Sequence, residues 1–110
     1  MKAAGDGFTA LARLDELPEG QPLAVEGPRG ERICLVRSGA DVRALRDECT
    51  HQAFPLSAGE VMPDGTIMCP WHGARFDCRT GAPLSGPATD PVPVYEVRVE
   101  GEEIYVRTTP

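Results

Sequence analysis

Two short cysteine–histidine pairs restrict this chain more than any other feature. They are Cys49-Thr50-His51 and Cys69-Pro70-Trp71-His72, seventeen residues apart, and they use both histidines of the sequence. A Cys-x-His pair alone carries little information. Two such pairs, each written cysteine first and each set among glycines and prolines, point to one metal centre held by two loops. The fold must therefore bring residues near 50 and near 70 together. With 12 glycines and 11 prolines in 110 residues, the means to do so are short strands and defined turns, because proline removes a backbone donor and glycine tolerates positive φ.

The spacing limits the kind of centre. Two thiolates and two imidazoles would satisfy tetrahedral zinc, but zinc pairs usually leave two to four residues between ligands. Cys49 and His51 leave one. In extended backbone, residues i and i+2 point to the same side about 6.5 Å apart, a separation better suited to two metal atoms than to one. A [2Fe–2S] cluster meets the requirement if both cysteines hold one iron and both histidines the other. A zinc-stabilised binding module stays open as an alternative, and a colourless, iron-free protein would favour it.

Around this segment the hydropathy pattern is that of an all-β protein. Phe8–Leu14 alternates through Phe8, Ala10, Ala12 and Leu14, with Leu11 out of phase. Leu23–Glu26 and Glu31–Arg37 read as strands joined by the hairpin signal Gly27-Pro28-Arg29-Gly30, and Asp41–Arg46 as a third. Between Asp47 and Pro87 the apolar stretches shrink to Thr66–Cys69 and Arg75–Cys78. Val94–Val99 and Glu103–Thr108 then form a hairpin, with Val97, Val99, Ile104 and Val106 on one face. No long helix is expected, and at most a short one at Asp15–Leu17. Residues 1–110 read as one domain, with residues of about 47–87 forming a loop-rich cluster-binding subdomain inserted in a β base.

The motif Cys49-x-His51 with Cys69-x-x-His72-Gly73 resembles the signature of Rieske iron–sulfur proteins. His72-Gly73-Ala74-Arg75-Phe76-Asp77, Thr80-Gly81, Pro55-Leu56 and Gly59 strengthen the likeness, and Pro93–Val99 resembles the strand after the cluster-covering proline loop. The resemblance covers the chain loosely and Cys49–Gly81 tightly. It implies stacked antiparallel β-sheets, a Rieske-type [2Fe–2S] cofactor at the tip of the subdomain, Cys49 and Cys69 on the inner iron, and His51 and His72 on the outer. Respiratory and photosynthetic members carry an extra cysteine in each loop; Phe54 and Trp71 stand at or near those places here. High-potential members place serine and tyrosine hydroxyls against the cluster where Ala74 and Phe76 stand. The likeness is therefore to the Rieske ferredoxins of ring-hydroxylating dioxygenases. It implies a low-potential one-electron carrier, not itself an enzyme, between a flavin-dependent ferredoxin reductase and a terminal oxygenase.

Other features agree. A formal net charge of −6 opposes a nucleic-acid partner and suits a basic patch on another protein. No apolar run reaches the length of a membrane span, and the N-terminus lacks a secretory pattern, so a reducing cytoplasm is expected. There Cys34 and Cys78 read as buried hydrophobes rather than a disulfide, although Cys78 stands near enough to the second motif to be weighed as a further ligand. No dinucleotide fingerprint or flavin motif is present, and the cluster uses both histidines. The competing reading from the same likeness is the Rieske small subunit of a nitrite reductase-like enzyme.

Overall fold

The computed structural model describes residues 7–39, 41–48, 55–69, 73–85 and 90–108. They form ten strands in two antiparallel sheets, the stacked all-β arrangement expected. The larger sheet contains β1 (Phe8–Arg13), β2 (Leu23–Glu26), β3 (Arg32–Ser38), β4 (Asp41–Arg46), β9 (Val94–Glu100) and β10 (Glu103–Arg107), in the order β1-β10-β9-β4-β3-β2. Its edge strands β1 and β2 approach each other without pairing. The smaller sheet has the order β5 (Glu60–Val61), β6 (Thr66–Met68), β7 (Arg75–Asp77), β8 (Pro83–Ser85). In sequence it lies wholly between β4 and β9.

The run Ile33-Cys34-Leu35-Val36 explains how the sheets join. All four side chains are fully buried, which one strand achieves only if both its faces are covered. Ile33 and Leu35 point into a core with Leu17, Val42, Ala44, Ile104 and Val106. Cys34 and Val36 point the other way, with Leu45, into a core completed by Leu56, Ile67, Phe76 and Val92. Strands β3 and β4 thus form a wall between two hydrophobic layers, and the smaller sheet is built on the second. Each large side chain buried there contributes about 1.5–3 kcal/mol.

Strand β1 departs from simple alternation. Its register against β10 slips between Ala10 and Ala12, so Phe8 and Ala10 oppose Arg107 and Tyr105 while Ala12 opposes Ile104. The bulge absorbs Leu11 and turns Ala12 to the face opposite Phe8. Ala12 joins the Ile104 core, and Phe8 packs outside it under the guanidinium of Arg98, 4.5 Å from the ring centre. The expected β9–β10 hairpin forms with Ile104 opposite Val99 and Val106 opposite Val97. A 3₁₀ turn occupies Leu14–Glu16. Two strands went unanticipated: β5 has two residues, and β8 begins with a proline. Pro83 is tolerated because β8 is an edge strand.

Candidate metal centre

Of the four expected ligands, Cys69 lies among the described residues. Cys49, His51 and His72 lie outside them, as do Phe54 and Trp71. The residues that border both loops are described, and they show how each loop is held.

The second loop springs from the β6–β7 hairpin. Thr66, Ile67 and Met68 oppose Asp77, Phe76 and Arg75, and the ladder continues one step further. The Cys69 N–H donates to the Ala74 carbonyl (2.7 Å) and the Gly73 N–H to the Cys69 carbonyl (3.0 Å). Gly73 has φ = +72°, a conformation that side-chain-bearing residues avoid. These two bonds tie Cys69 and Gly73, the described residues on either side of positions 70–72, to each other. Cys69 is 2 % exposed and shares its core with Ile67, Ala74 and Phe76. These four residues alternate along the two strands and share one face. A thiolate in such a place faces hydrocarbon and backbone amides, which fits a ligand to an inner iron.

The first loop leaves β4 and returns at Pro55. The Asp47 N–H donates to the Arg32 carbonyl (3.0 Å), extending the β3–β4 ladder. Leu56–Ala58 form a 3₁₀ turn whose Leu56 is buried in the core that holds Cys69. Gly59 follows, where any Cβ would meet the Met68 carbonyl oxygen at 2.0 Å; only glycine lets the first loop return so close to the strand leading to Cys69. Asp47 links the two ends. Its Oδ1 accepts from the Ser57 N–H (2.7 Å) and its Oδ2 from the Ser57 hydroxyl (2.6 Å).

A second acidic residue braces the β6–β7 hairpin. Asp64 accepts from the Thr66 hydroxyl (2.7 Å) and N–H (3.2 Å), and from Arg75 Nη2 (2.7 Å). Arg75 also donates to the Thr66 hydroxyl (3.0 Å). The Thr66 hydroxyl first, with its N–H and the Arg75 charge, holds the Asp64 carboxyl below the usual carboxylate range. Because the folded value is depressed, the stabilisation is complete above the unfolded value of about 3.9 and is lost as pH falls through the folded one. Asp64→Asn should therefore lower the thermal midpoint at pH 5–7, and the difference from wild type should shrink as pH falls below the unfolded value of about 3.9. Thermal unfolding of both proteins across that range checks it.

Cys34 and Cys78 are reduced and buried. Burial chiefly, with Asp47 and Cys78 adding, pushes the Cys34 thiol up. Burial, with Asp77 and Asp64 adding, pushes the Cys78 thiol up to about 12. Geometry sets Cys78 apart from Cys69. Its N–H donates to the Gly65 carbonyl, so it lies opposite the far end of β6, about 13 Å along the strand from Cys69. Sequence reading did not find the Asp47–Ser57 clamp; ten residues separate its members, and neither stands in a local capping pattern.

Comparison with known proteins gives consistent matches. A family profile described as Rieske [2Fe-2S] domain matches residues 7–96. The 3-phenylpropionate/cinnamic acid dioxygenase ferredoxin subunit of Shigella boydii serotype 4 (strain Sb227) is 37% identical over 91 residues, covering 83% of this chain and 84% of that protein. The ferredoxin of carbazole 1,9a-dioxygenase from Nocardioides aromaticivorans IC177 superposes with a TM-score of 0.86 at 37% identity, covering 94% of this chain and 100% of that one. A chain in the complex of reduced oxygenase and oxidized ferredoxin of carbazole 1,9a-dioxygenase superposes with a TM-score of 0.85 at 31% identity, covering 94% of each.

Proposed function

Since this chain belongs to the family of Rieske [2Fe–2S] domains, we propose that it is the ferredoxin component of a multicomponent ring-hydroxylating dioxygenase. Its cofactor is a Rieske-type [2Fe–2S] cluster, and we assign Cys49, His51, Cys69 and His72 as the ligands. The observation that carries the reading is one of extent. The likeness runs through nearly the whole of this chain and the whole of a dioxygenase ferredoxin, whereas the dicamba monooxygenase chain that also superposes is matched over only 33% of its length.

When bound, the cluster supplies a one-electron couple whose reduced form is one unit more negative. The protein's part is to hold the ligand loops and to shape the field around them. Cys69 is fixed through its backbone, with Ala74 and Phe76 closing the apolar wall beside it. Among the described residues no helix is long and apolar enough to cross a membrane. We place the protein in the cytoplasm, between a flavin-dependent ferredoxin reductase and a terminal oxygenase.

The test is electron transfer between purified components. The protein should be reduced by a nicotinamide-supplied flavin reductase and reoxidised by a dioxygenase terminal component. A net charge of −6 steers docking towards basic surfaces, so both second-order rates should fall as the Debye length shrinks from about 10 Å at 0.1 M salt to about 3 Å at 1 M. Stopped-flow traces over that range check it. Rates indifferent to salt would leave apolar contact as the docking force, and no transfer to any oxygenase would overturn the assignment.

A further inference from the structure

Asp47 stands out because its carboxylate is put to use at one particular place. It is 6 % exposed and stands two residues before the first expected ligand. Both carboxylate oxygens accept from one residue on the far side of the loop, Ser57. The two backbones are also tied down: Asp47 extends the β3–β4 ladder and Ser57 lies within the 3₁₀ turn that starts with buried Leu56. Among the described residues, no arginine or lysine comes within ion-pair distance of Asp47. Among the described residues its charge is met by the neutral N–H and O–H of Ser57. Such a carboxylate keeps a strong local field, because neutral donors solvate it without cancelling it.

We propose that Asp47 is a positioning residue for the cluster: through Ser57 it sets the loop carrying Cys49 and His51, and its charge holds the reduction potential down. This rests on the reading of the chain as a Rieske carrier. Two physical effects are joined in one side chain. The clamp ties Asp47 to Ser57, whose neighbour Leu56 shares the core that holds Cys69. A buried negative charge beside the loop opposes the arrival of another on the cluster. The Cys34 thiol registers the same field, being pushed up in part by Asp47.

Three variants of the cluster-loaded protein separate the effects. Asp47→Asn keeps the size and one acceptor oxygen but removes the charge. It should retain the cluster and its EPR line shape, and its midpoint in voltammetry should move upward. Asp47→Ala removes charge and clamp, and cluster release into a chelator should quicken by about 10–100-fold, the usual cost of losing a partner that orients a metal ligand. Ser57→Ala keeps the bond to the backbone N–H and should fall between Asp47→Ala and wild type in release while leaving the midpoint near wild type. An Asp47→Asn midpoint that is unchanged or lower overturns the proposal. So does release from Asp47→Ala at the wild-type rate. If Asp47→Ala does not fold, the Asn midpoint and the Ser57→Ala release rate decide by the same criteria. The wild-type spectrum and iron content, measured first, test the Rieske reading by themselves, so a failure of that reading is told apart from a failure of the clamp.

Discussion

Cys69→Ser should strip the protein of its Rieske spectrum. The backbone at this position is fixed by the bonds to Ala74 and Gly73, so the substitution changes the ligand atom and little else. Serine keeps its proton at neutral pH, where cysteine bound to iron does not, and a neutral hydroxyl in an apolar wall is a weak donor to ferric iron. Iron and sulfide assays should then show near-complete loss, with disappearance of the visible absorption and the EPR signal of the reduced form. His51→Cys should instead alter the EPR spectrum, because a thiolate on the outer iron changes its electron density and charge. Cys34→Ser and Cys78→Ser are the controls. Each buries a hydroxyl at a stability cost of about 1–3 kcal/mol, and each should keep the cluster. If His51→Ala and His72→Ala both leave the native spectrum intact, the ligand assignment is wrong.

The midpoint potential should lie at the low end of the Rieske range, nearer about −150 mV than +300 mV. Donors to the cluster sulfurs or to the cysteine Sγ stabilise the added negative charge and raise the potential. Ala74 lies directly across from Cys69, and Phe76 follows on the same face; both are buried and neither carries a donor. Ala74→Ser and Phe76→Tyr should each raise the midpoint, with the pair raising it further. The wild-type value should vary little around neutral pH, because an electron-poor oxidised cluster is what acidifies ligating imidazoles. Such a carrier suits a flavin donor and is poorly matched to a quinol. Protein-film voltammetry decides the matter: a midpoint above about +100 mV would sink the hydroxyl argument and the dioxygenase-ferredoxin reading that depends on it.

The sequence revealed what short-range chemistry fixes. Strands β4 and β2 were legible to the residue, since each is a short apolar stretch bounded by turn residues. The continuous apolar run in β3 was legible as a strand, but not as a wall between two cores, because that depends on what the smaller sheet places behind Cys34 and Val36. The face reversal in β1 was hidden because Leu11 is as apolar as its neighbours, and only the pairing with β10 shows which residue is extra. Strand β8 was hidden by its proline. At the site, the motif proposed four ligands by residue type and spacing; of these Cys69 lies among the described residues, buried beyond the end of β6. The clamp from Asp47 to Ser57 could not be read, since it joins the two ends of a loop whose closure is itself a product of the fold.

The pairing of β1 with β10 has a consequence beyond stability. Phe8 faces Arg107 across that ladder, and the Thr108 N–H donates to the Gly7 carbonyl. The first and last described residues therefore lie side by side along one seam. Neither strand contributes a described residue to the core behind Cys69. A fold whose first and last described residues meet can be grafted into a surface turn of a host protein at small cost in loop entropy. It can equally be tethered there by either end. Tethered to an electron acceptor, such a module would no longer depend on diffusion, because its delivery rate would follow the length of the linker and not the concentration of the carrier.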